Sequence, residues 1–268
     1  MDRRYTIRID KIVEETPDIK TFTFKHTLGA KPGQFIMLTD FEGGEKPFSL
    51  SNCSKEEFSI TVKRIGEFTT RLFQKCVGDY VSIRGAYGSS FFVSKNKVLL
   101  VGGGYAVPTF YFFAKVLLEA GTDVTLINGA RTKAEHVFAD RFNELDIRVI
   151  NSTDDGTFGE KGTAVDVAQK IMSQDKFDFF YASGPEMMMK ALQNTLQGQG
   201  QDQGRDLDYE FLFERYMKCA IGICGNCTMD PIGLRLCVEG PVLPKEKIEQ
   251  ITEFGKYHRD ASGKRIKY

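Results

Sequence analysis

The sequence predicts an antiparallel β-barrel, followed by a doubly wound α/β domain and a small cysteine-rich domain. Short apolar runs separated by turn residues predict the barrel. Buried-type strands that alternate with helical segments predict the α/β domain. Four closely spaced cysteines mark the last part of the chain. A length of 268 residues accommodates two domains of ordinary size and one small addition.

Residues 1–95 form the predicted barrel, because they contain six short strand-like runs and no long helical period. The runs are Tyr5 to Val13, Thr21 to His26, Phe35 to Thr39, Phe48 to Ser51, Phe58 to Arg64 and Tyr80 to Arg84. Two stretches of small residues, 66–70 and 85–91, are expected to be turns whose backbone N–H groups approach an anion.

Residues 96–200 form the predicted α/β domain. Its first strand, Val98 to Val101, is a continuous apolar run of the buried parallel type, and a helix that ends near Gly121 follows it. Further strands are expected at Val124 to Asn128, Ile147 to Asn151 and Phe177 to Ala182, and helices at Ala134 to Leu145 and Ala164 to Met172. The polar, glycine-rich stretch Gln197 to Asp206 predicts a linker to the third domain, residues 201–268. A basic tail from Lys256 onward is expected to be solvated or covered by a partner.

The charge balance excludes one large class of partner. The chain has 36 basic and 36 acidic residues, so it has no overall field that attracts nucleic acid or anionic lipid. Its N-terminus lacks the apolar segment of a signal peptide, and the most apolar stretch, Val98 to Leu118, is interrupted by glycines, a proline and a lysine. Neither nucleic-acid binding nor a membrane span is expected. A cytoplasmic location is expected, where thiols stay reduced.

The four cysteines predict a [2Fe-2S] cluster. They are Cys219, Cys224, Cys227 and Cys237, with gaps of four, two and nine residues. The first three follow the C-x4-C-x2-C spacing of plant-type ferredoxin ligands. Soft thiolates suit iron, and the small residues between them let backbone N–H groups approach the cluster sulfurs.

Two other uses of these cysteines remain open at this point. A structural zinc site is one alternative, although such sites usually separate two C-x-x-C pairs by a longer stretch. Disulfides are the second, although neither a signal peptide nor a small disulfide-dense scaffold is present. The isolated Cys53 and Cys76 are expected to be ordinary buried thiols.

The segment Lys46-Pro47-Phe48-Ser49 is a candidate flavin-binding motif. The proline fixes the backbone, the Ser49 hydroxyl can hydrogen-bond the edge of a flavin ring, and Lys46 can meet a phosphate. Taken alone, the segment favours an ordinary surface strand, because a basic residue and a serine beside a proline occur in many such strands.

Two glycine turns in the α/β domain predict a bound nucleotide. Gly102-Gly103-Gly104 follows a buried strand and precedes a helix, where a pyrophosphate can lie against the helix N-terminus. Val107 stands where the third glycine of G-x-G-x-x-G would fall, so the turn departs from the usual dinucleotide fingerprint. Ser183-Gly184-Pro185 is a second turn at the end of a later strand.

The order of these motifs resembles the ferredoxin-NADP reductase superfamily over nearly the whole chain. Within it, the chain is similar to the electron-transfer subunits of two-component, NAD-dependent dihydroorotate dehydrogenases. Matching segments are 129–133, 153–162 and 237–242. The resemblance implies FAD on the barrel, NAD on the α/β domain and [2Fe-2S] on the cysteine domain. It further implies that electrons pass between NAD and an FMN-containing dihydroorotate dehydrogenase catalytic subunit, in pyrimidine biosynthesis.

The resemblance also implies roles for individual residues. Lys46 to Ser49 would contact the flavin, and Thr69 and Thr70 would hold its pyrophosphate. The two glycine turns would hold NAD, and the four cysteines the cluster. Lysine replaces the usual arginine at position 46, which gives up a bidentate phosphate contact. Ser183 replaces a cysteine that many members carry beside the nicotinamide. No residue is expected to act as a catalytic base.

Two further functions remain compatible with the sequence. The same cofactors serve subunits of hydrogenases, sulfide dehydrogenases and electron-bifurcating transhydrogenases. A zinc-stabilised regulatory module that binds nucleotide without turnover is the other alternative. NAD is expected by resemblance, although Arg131 and Lys133 lie where a 2′-phosphate of NADP could be met.

Overall fold

A seven-stranded antiparallel sheet forms the first part of the computed structural model, which describes residues 3–204 and 206–268. Its strands are β1 (Arg4–Arg8), β2 (Lys11–Thr16), β3 (Ile19–Phe24), β4 (Phe35–Thr39), β5 (Lys46–Cys53), β6 (Phe58–Lys63) and β7 (Tyr80–Tyr87). They lie in the order β1-β7-β4-β5-β6-β3-β2, so β1 and β2 are the two edges of a half-barrel. Alternate residues such as Ile36, Leu38, Ile60 and Val62 fill its core.

Two details of the barrel differ from the sequence-based expectation. The strand predicted from Tyr5 to Val13 is divided into β1 and β2, because β1 pairs with β7 whereas β2 pairs with β3. The expected turn at 66–70 is the start of a helix, α1 (Glu67–Gln74). At eight residues it is too short to show a clear helical period, yet it buries Phe68, Leu72 and Phe73.

The second sheet has seven strands in the order β11-β10-β9-β8-β12-β13-β16. These strands are β8 (Val98–Gly103), β9 (Val124–Ala130), β10 (Arg148–Thr153), β11 (Glu160–Lys161), β12 (Phe179–Ser183), β13 (Asp208–Leu212) and β16 (Val242–Pro244). All neighbours are parallel except β13 and β16. The helices are α2 (Pro108–Glu119), α3 (Ala139–Asn143), α4 (Ala164–Gln174) and α5 (Glu186–Gln203).

Helices cover both faces of this sheet, which confirms the doubly wound architecture. Val98 and Leu100 of β8 pack in one core with apolar residues of α2 and α3. Leu99 and Val101 pack in another core with residues of α4 and α5. Because successive side chains of a strand point to opposite faces, a strand buried on both sides reads as one apolar run.

Two predictions for the α/β domain are wrong. The helix expected from Ala134 to Leu145 is a short 3-10 turn, Lys133–Glu135, followed by the five-residue α3. Phe138 interrupts it with a left-handed φ of 63°. The linker expected from Gln197 to Asp206 is helical through Gln203, because buried Met189, Leu192 and Leu196 hold α5 against the core. Arg205 of that stretch lies outside the described residues.

The third part of the chain is attached to the second sheet. The boundary predicted between residues 200 and 201 falls inside α5, and β13 continues the sheet beside β12. We therefore propose that the α/β domain extends to about Leu212, whereas the boundary predicted at 95/96 stays a prediction. The remaining elements are β14 (Thr228–Met229), β15 (Leu234–Arg235), α6 (Leu236–Glu239), α7 (Lys245–Ile248), β17 (Tyr257–Arg259) and β18 (Arg265–Lys267).

The tail that was expected to be solvated or covered by a partner forms a hairpin of β17 and β18. It packs on the rest of the molecule through hydrogen bonds to Asp230 and Glu186. None of the helices in the described ranges combines the length and apolar character needed to cross a lipid bilayer.

Candidate functional site

A cleft of about 890 Å³ lies between the barrel and the α/β domain. β5 lines its barrel side, and residues at the start of α2 and just after β13 line the other. Ser51, also on β5, has a buried hydroxyl with no hydrogen-bond partner among the described residues. A buried hydroxyl without a partner is costly, so its presence in the wall of a largely apolar cleft indicates a polar ligand atom beside it.

Part of the predicted flavin motif lines this cleft. The lining residues include Pro47, Phe48, Ser49 and Thr69. Lys46 lies next to the cleft, where its Nζ donates a hydrogen bond to Tyr216 OH at 3.3 Å. Thr70 is exposed on the first turn of α1, outside the cleft wall. The structure therefore brings the β5 segment and Thr69 together on one surface.

Thr69 organises the N-terminal end of α1. Its Oγ1 accepts hydrogen bonds from the backbone N–H groups of Ile65 and Gly66, at 3.0 and 3.1 Å. The first backbone N–H groups of a helix have no intrahelical acceptor and carry partial positive charge. This end of α1 is therefore suited to a phosphate, which supports the predicted contact without testing it.

The two glycine turns lie side by side at the carboxyl ends of β8 and β12. A Cβ atom added to Gly184 would lie only 3.1 Å from the backbone nitrogen of Gly103. On Gly103 it would lie 2.6 Å from Met188 Sδ, and on Gly102 it would lie 2.8 Å from a valine methyl group. Gly104 has a left-handed φ of 59°. Side chains at Gly103 and Gly184 would therefore fill the space between the two turns, whereas one at Gly102 would meet the core residues Val107 and Phe110.

Ser183 lies beneath the turns and does not line the cleft. It is fully buried, and its Oγ donates to Ala106 O at 3.3 Å. It also accepts a hydrogen bond from Thr109 Oγ1 at 3.2 Å. The residue predicted to contact the nicotinamide thus ties β12 to the turn before α2.

A second cleft, of about 1470 Å³, opens beside the first. Gly103, Gly184 and Pro185 line it, together with residues of the β17–β18 hairpin. Both clefts share a set of lining residues: Ile65, Tyr105, Ala106, Glu214 and Arg215. The two clefts therefore meet, and ligands bound in each would be neighbours.

Tyr105 and Glu214 form a polar pair where the clefts meet. Tyr105 OH donates a hydrogen bond to Glu214 Oε2 at 3.1 Å. Although the Glu214 side chain keeps contact with solvent, the surrounding cleft walls raise the pKa of its carboxyl group, and the hydrogen bond from Tyr105 partly offsets this. The neighbouring carboxylate in turn raises the pKa of Tyr105.

A buried ion network connects this region to the later part of the chain. Arg215 bridges the carboxylates of Glu186 and Glu253, all three being almost completely buried. Tyr268 OH and the backbone N–H of Gly255 also donate to Glu186, at 2.7 and 2.9 Å. Glu186 starts α5 directly after the second glycine turn, so this network positions the turn.

The four predicted ligands of the cluster lie in one loop region as two pairs. The backbone N–H of Cys224 donates to Cys219 Sγ, and that of Cys237 donates to Cys227 Sγ, both at 3.4 Å. Among the described residues, no three His, Cys, Asp or Glu side chains converge as they would around a single metal ion. Two pairs of cysteine thiolates are the ligand set that the two irons of a [2Fe-2S] cluster require.

Backbone N–H groups point at the first sulfur of this loop. The N–H groups of Ile223 and Cys224 each donate to Cys219 Sγ at 3.4 Å. Burial opposes the charged thiolate, but these donors lower the pKa of Cys219 to about 6. Burial and the adjacent Cys227 thiol raise the pKa of Cys237 to about 12. The same donors would stabilise the negative sulfurs of a cluster.

The other two cysteines lie outside this loop. Cys53 is half-buried, and burial raises the pKa of its thiol. Cys76 is exposed, which corrects the expectation that both are buried. It follows α1 in the loop that leads to β7, where few residues cover it.

Arg84 joins the barrel to the cysteine loop. It is largely buried on β7 and donates hydrogen bonds to the backbone carbonyls of Cys219 and Lys218, at 2.8 and 3.3 Å. Glu45 holds the same guanidinium group. The loop is thus fixed to β7, the strand next to β4.

Several of these residues had no role in the sequence-based prediction. They are Ser51, Arg84, Tyr105, Glu186, Glu214, Arg215, His258 and Tyr268. The sequence offered a signal for three of them. Glu214 and Arg215 come just before Cys219, and Tyr105 directly follows the first glycine turn, so each lies next to a predicted binding motif. The others are brought to the site only by folding.

Comparison with known proteins agrees with this arrangement. Residues 214–249 match the family model described as the iron-sulfur cluster binding domain of dihydroorotate dehydrogenase B. The structure of an NADH-dependent reduced ferredoxin-NADP oxidoreductase, a flavin-based electron-bifurcating enzyme, is similar with a TM-score of 0.78 and 28% identity. That similarity covers 92% of this chain and 93% of the other.

Two curated relatives extend the similarity to the whole sequence. A chain from Methanocaldococcus jannaschii is 41% identical over 268 residues, which is all of both chains. One from Methanothermobacter thermautotrophicus is 37% identical over 264 residues, or 97% of this chain and 96% of its own. Both are named "Probable dihydroorotate dehydrogenase B (NAD(+)), electron transfer subunit". The chain belongs to the family of dihydroorotate dehydrogenase B electron transfer subunits.

Proposed function

We propose that this protein carries electrons between NAD and an FMN-containing dihydroorotate dehydrogenase catalytic subunit, using FAD and a [2Fe-2S] cluster. One observation carries the proposal. Residues 213–217 line the two adjoining clefts, and the chain reaches the first cysteine of the loop two residues later. Three candidate binding sites are therefore contiguous, as transfer of electrons between bound groups requires.

FAD is assigned to the first cleft. Pro47, Phe48 and Ser49 provide a rigid wall with one hydroxyl, and the unpartnered Ser51 hydroxyl offers a second polar contact. The N-terminal end of α1 at Thr69 receives the pyrophosphate. Lys46, already close to Tyr216, supplies positive charge at the edge of the cleft. Thr70 is the weakest member of the predicted set, because its side chain is exposed.

NAD is assigned to the second cleft. Gly102, Gly103 and Gly104 allow the backbone to approach the nucleotide, and Gly184 and Pro185 form the facing turn. Ser183 supports these turns from below through Ala106 and Thr109. The wall that the two clefts share supports an orientation in which the nicotinamide end of NAD faces the flavin.

The cluster is assigned to Cys219, Cys224, Cys227 and Cys237. The paired thiols and the backbone donors around Cys219 fit two irons and their bridging sulfides. When bound, FAD exchanges a hydride with NAD and single electrons with the cluster, so it converts two-electron to one-electron chemistry. The protein orients these groups, holds the loop through Arg84 and places the Tyr105 hydroxyl proton beside Glu214.

We assign the docking site of the partner subunit to the surface around the cysteine loop. Cys224 is exposed, and the apolar side chains of Ile221, Ile223 and Val238 are exposed with it. Ile223 has 79% of its surface accessible, which is unusual for a large apolar residue of a folded domain. A partner that covers these side chains brings its own cofactor close to the cluster. We assign the complex to the cytoplasm, where the thiols remain available to iron.

Anaerobic purification with the catalytic subunit tests the proposal. We expect about one FAD and two irons per chain, and NAD reduction that depends on dihydroorotate. Zinc with neither iron nor flavin would support the regulatory alternative instead. A second function within the same cofactor set is electron bifurcation, favoured by the 28% identity with the bifurcating oxidoreductase. Ferredoxin-dependent activity without any dihydroorotate activity would establish that function.

A further inference from the structure

The β17–β18 hairpin has one anchored face. Tyr257 OH, Arg259 and Arg265 all donate to Oδ2 of Asp230, at 2.9, 2.6 and 3.1 Å respectively. Side chains alternate along a strand, so His258 points away from this anchored face. The hairpin is therefore held firmly on one side while the opposite side carries a different set of residues.

The opposite face carries an aromatic pair at the second cleft. The rings of His258 and Tyr268 lie 5.0 Å apart at an interplanar angle of 39°. Both residues line the cleft whose other walls include Gly103 and Gly184. The Nδ1 atom of His258 is buried without a hydrogen-bond partner among the described residues. A polar ring atom left without a partner is expected where a bound ligand completes the site.

Tyr268 is also tied to the turn that faces the nucleotide. Its hydroxyl donates to Glu186, which starts α5 immediately after Gly184 and Pro185. Arg215 holds the same carboxylate from the side of the flavin cleft. The aromatic pair is thus fixed relative to both glycine turns.

We propose that His258 and Tyr268 pack directly against a heterocyclic ring of NAD, so that the hairpin completes the second cleft. The inference rests on the proposed binding of NAD between the glycine turns. Aromatic rings pack against flat heterocycles with a free energy that corresponds to a change in affinity of about fivefold or more. The hairpin supplies such rings on the side of the cleft that faces the turns.

The test is a calorimetric titration of the oxidised holoenzyme with NAD, which gives the Kd for NAD. NAD binds to the oxidised enzyme without being reduced. Tyr268→Ala and His258→Ala are each expected to raise the Kd for NAD about tenfold. Tyr268→Phe keeps the ring and is expected to remain within about threefold of the native Kd. Tyr80→Ala removes an exposed tyrosine of the barrel and serves as the matched control with unchanged Kd.

Amide hydrogen exchange of the native holoenzyme provides a measurement that needs no variant. NAD is expected to slow exchange in residues 256–268. Native affinity in both alanine variants, or no protection of the hairpin by NAD, would overturn the inference. If the native protein itself does not bind NAD, the proposed function fails. That outcome is distinct from a failure of the inference about the hairpin, in which the native protein binds NAD and the variants bind it equally well.

Discussion

Arg84 Nη1 donates a hydrogen bond to the backbone carbonyl of Cys219 at 2.8 Å, although the two residues are 135 positions apart. This contact joins the barrel to the cysteine loop. Glu45 neutralises the buried guanidinium group from the barrel side. Arg84 therefore adds a buried, charge-assisted link between β7 and the cysteine loop.

Replacement of Arg84 by Met should loosen this connection. Glu45 would lose its buried partner, and we expect the free energy of unfolding to fall by about 3 kcal/mol. Arg4→Met is the matched control, since Arg4 also pairs with Glu45 but is 51% exposed and should cost less than about 1 kcal/mol. Denaturant unfolding of both variants measures the difference, and equal losses would contradict a special role for Arg84.

Glu210 should make stability depend on pH. Burial raises its pKa to about 7, above the ordinary value of 4.5. The folded protein therefore holds this proton more tightly than the unfolded chain, so stability from this group is full below about pH 4.5 and is lost as pH rises through about 7.

The variant Glu210→Gln keeps an acceptor for the Phe92 N–H but cannot ionise. We expect it to gain on the order of 2 kcal/mol at pH 8 and almost nothing at pH 4. Thermal unfolding at both pH values checks this, with the exposed Glu56→Gln as control. A gain that is equal at both pH values would show that ionisation is not the cause.

Arg131 should be prevented from binding a 2′-phosphate by its own neighbour. It follows β9 and forms two hydrogen bonds with Glu135, at 2.5 and 2.8 Å. We expect Glu135→Gln to free the guanidinium and remove a repelling charge, which raises the ratio of kcat/KM for NADPH over NADH about fivefold. Glu144→Gln, at the end of α3, serves as control. An unchanged ratio would mean that Glu135 does not set the preference.

Gly184→Ala should weaken NAD binding through the backbone. The new Cβ would lie 3.1 Å from Gly103 N, so the two turns would have to separate. We expect the Kd for NAD to rise about tenfold, with the FAD content unchanged. Gly198→Ala on α5, where an added Cβ meets nothing within 4 Å, is the matched control. Calorimetric titration gives both values, and equal affinities would argue against close approach of the nucleotide.

Local sequence patterns predicted the parts of the site that lie within single segments. The β5 motif, the two glycine turns and the cysteine loop were all visible, because strand ends and ligand spacing are local features. The last turns of α5 were not, because their polar composition concealed a helix held by Met189 and Leu192. Arg84 and Tyr268 could not be assigned, since their partners are distant in sequence and meet them only in the folded chain.

Electrons pass between the flavin and the catalytic subunit through the cysteine loop, and Cys224→Ser in complex with the catalytic subunit tests this route most directly. Flavin reduction by NADH and NAD reduction by dihydroorotate are measured on the same anaerobic sample by stopped-flow absorbance. We expect NADH still to reduce the flavin at close to the native rate, whereas dihydroorotate-dependent NAD reduction is lost. Equal loss of both reactions, or native transfer from dihydroorotate, would contradict it.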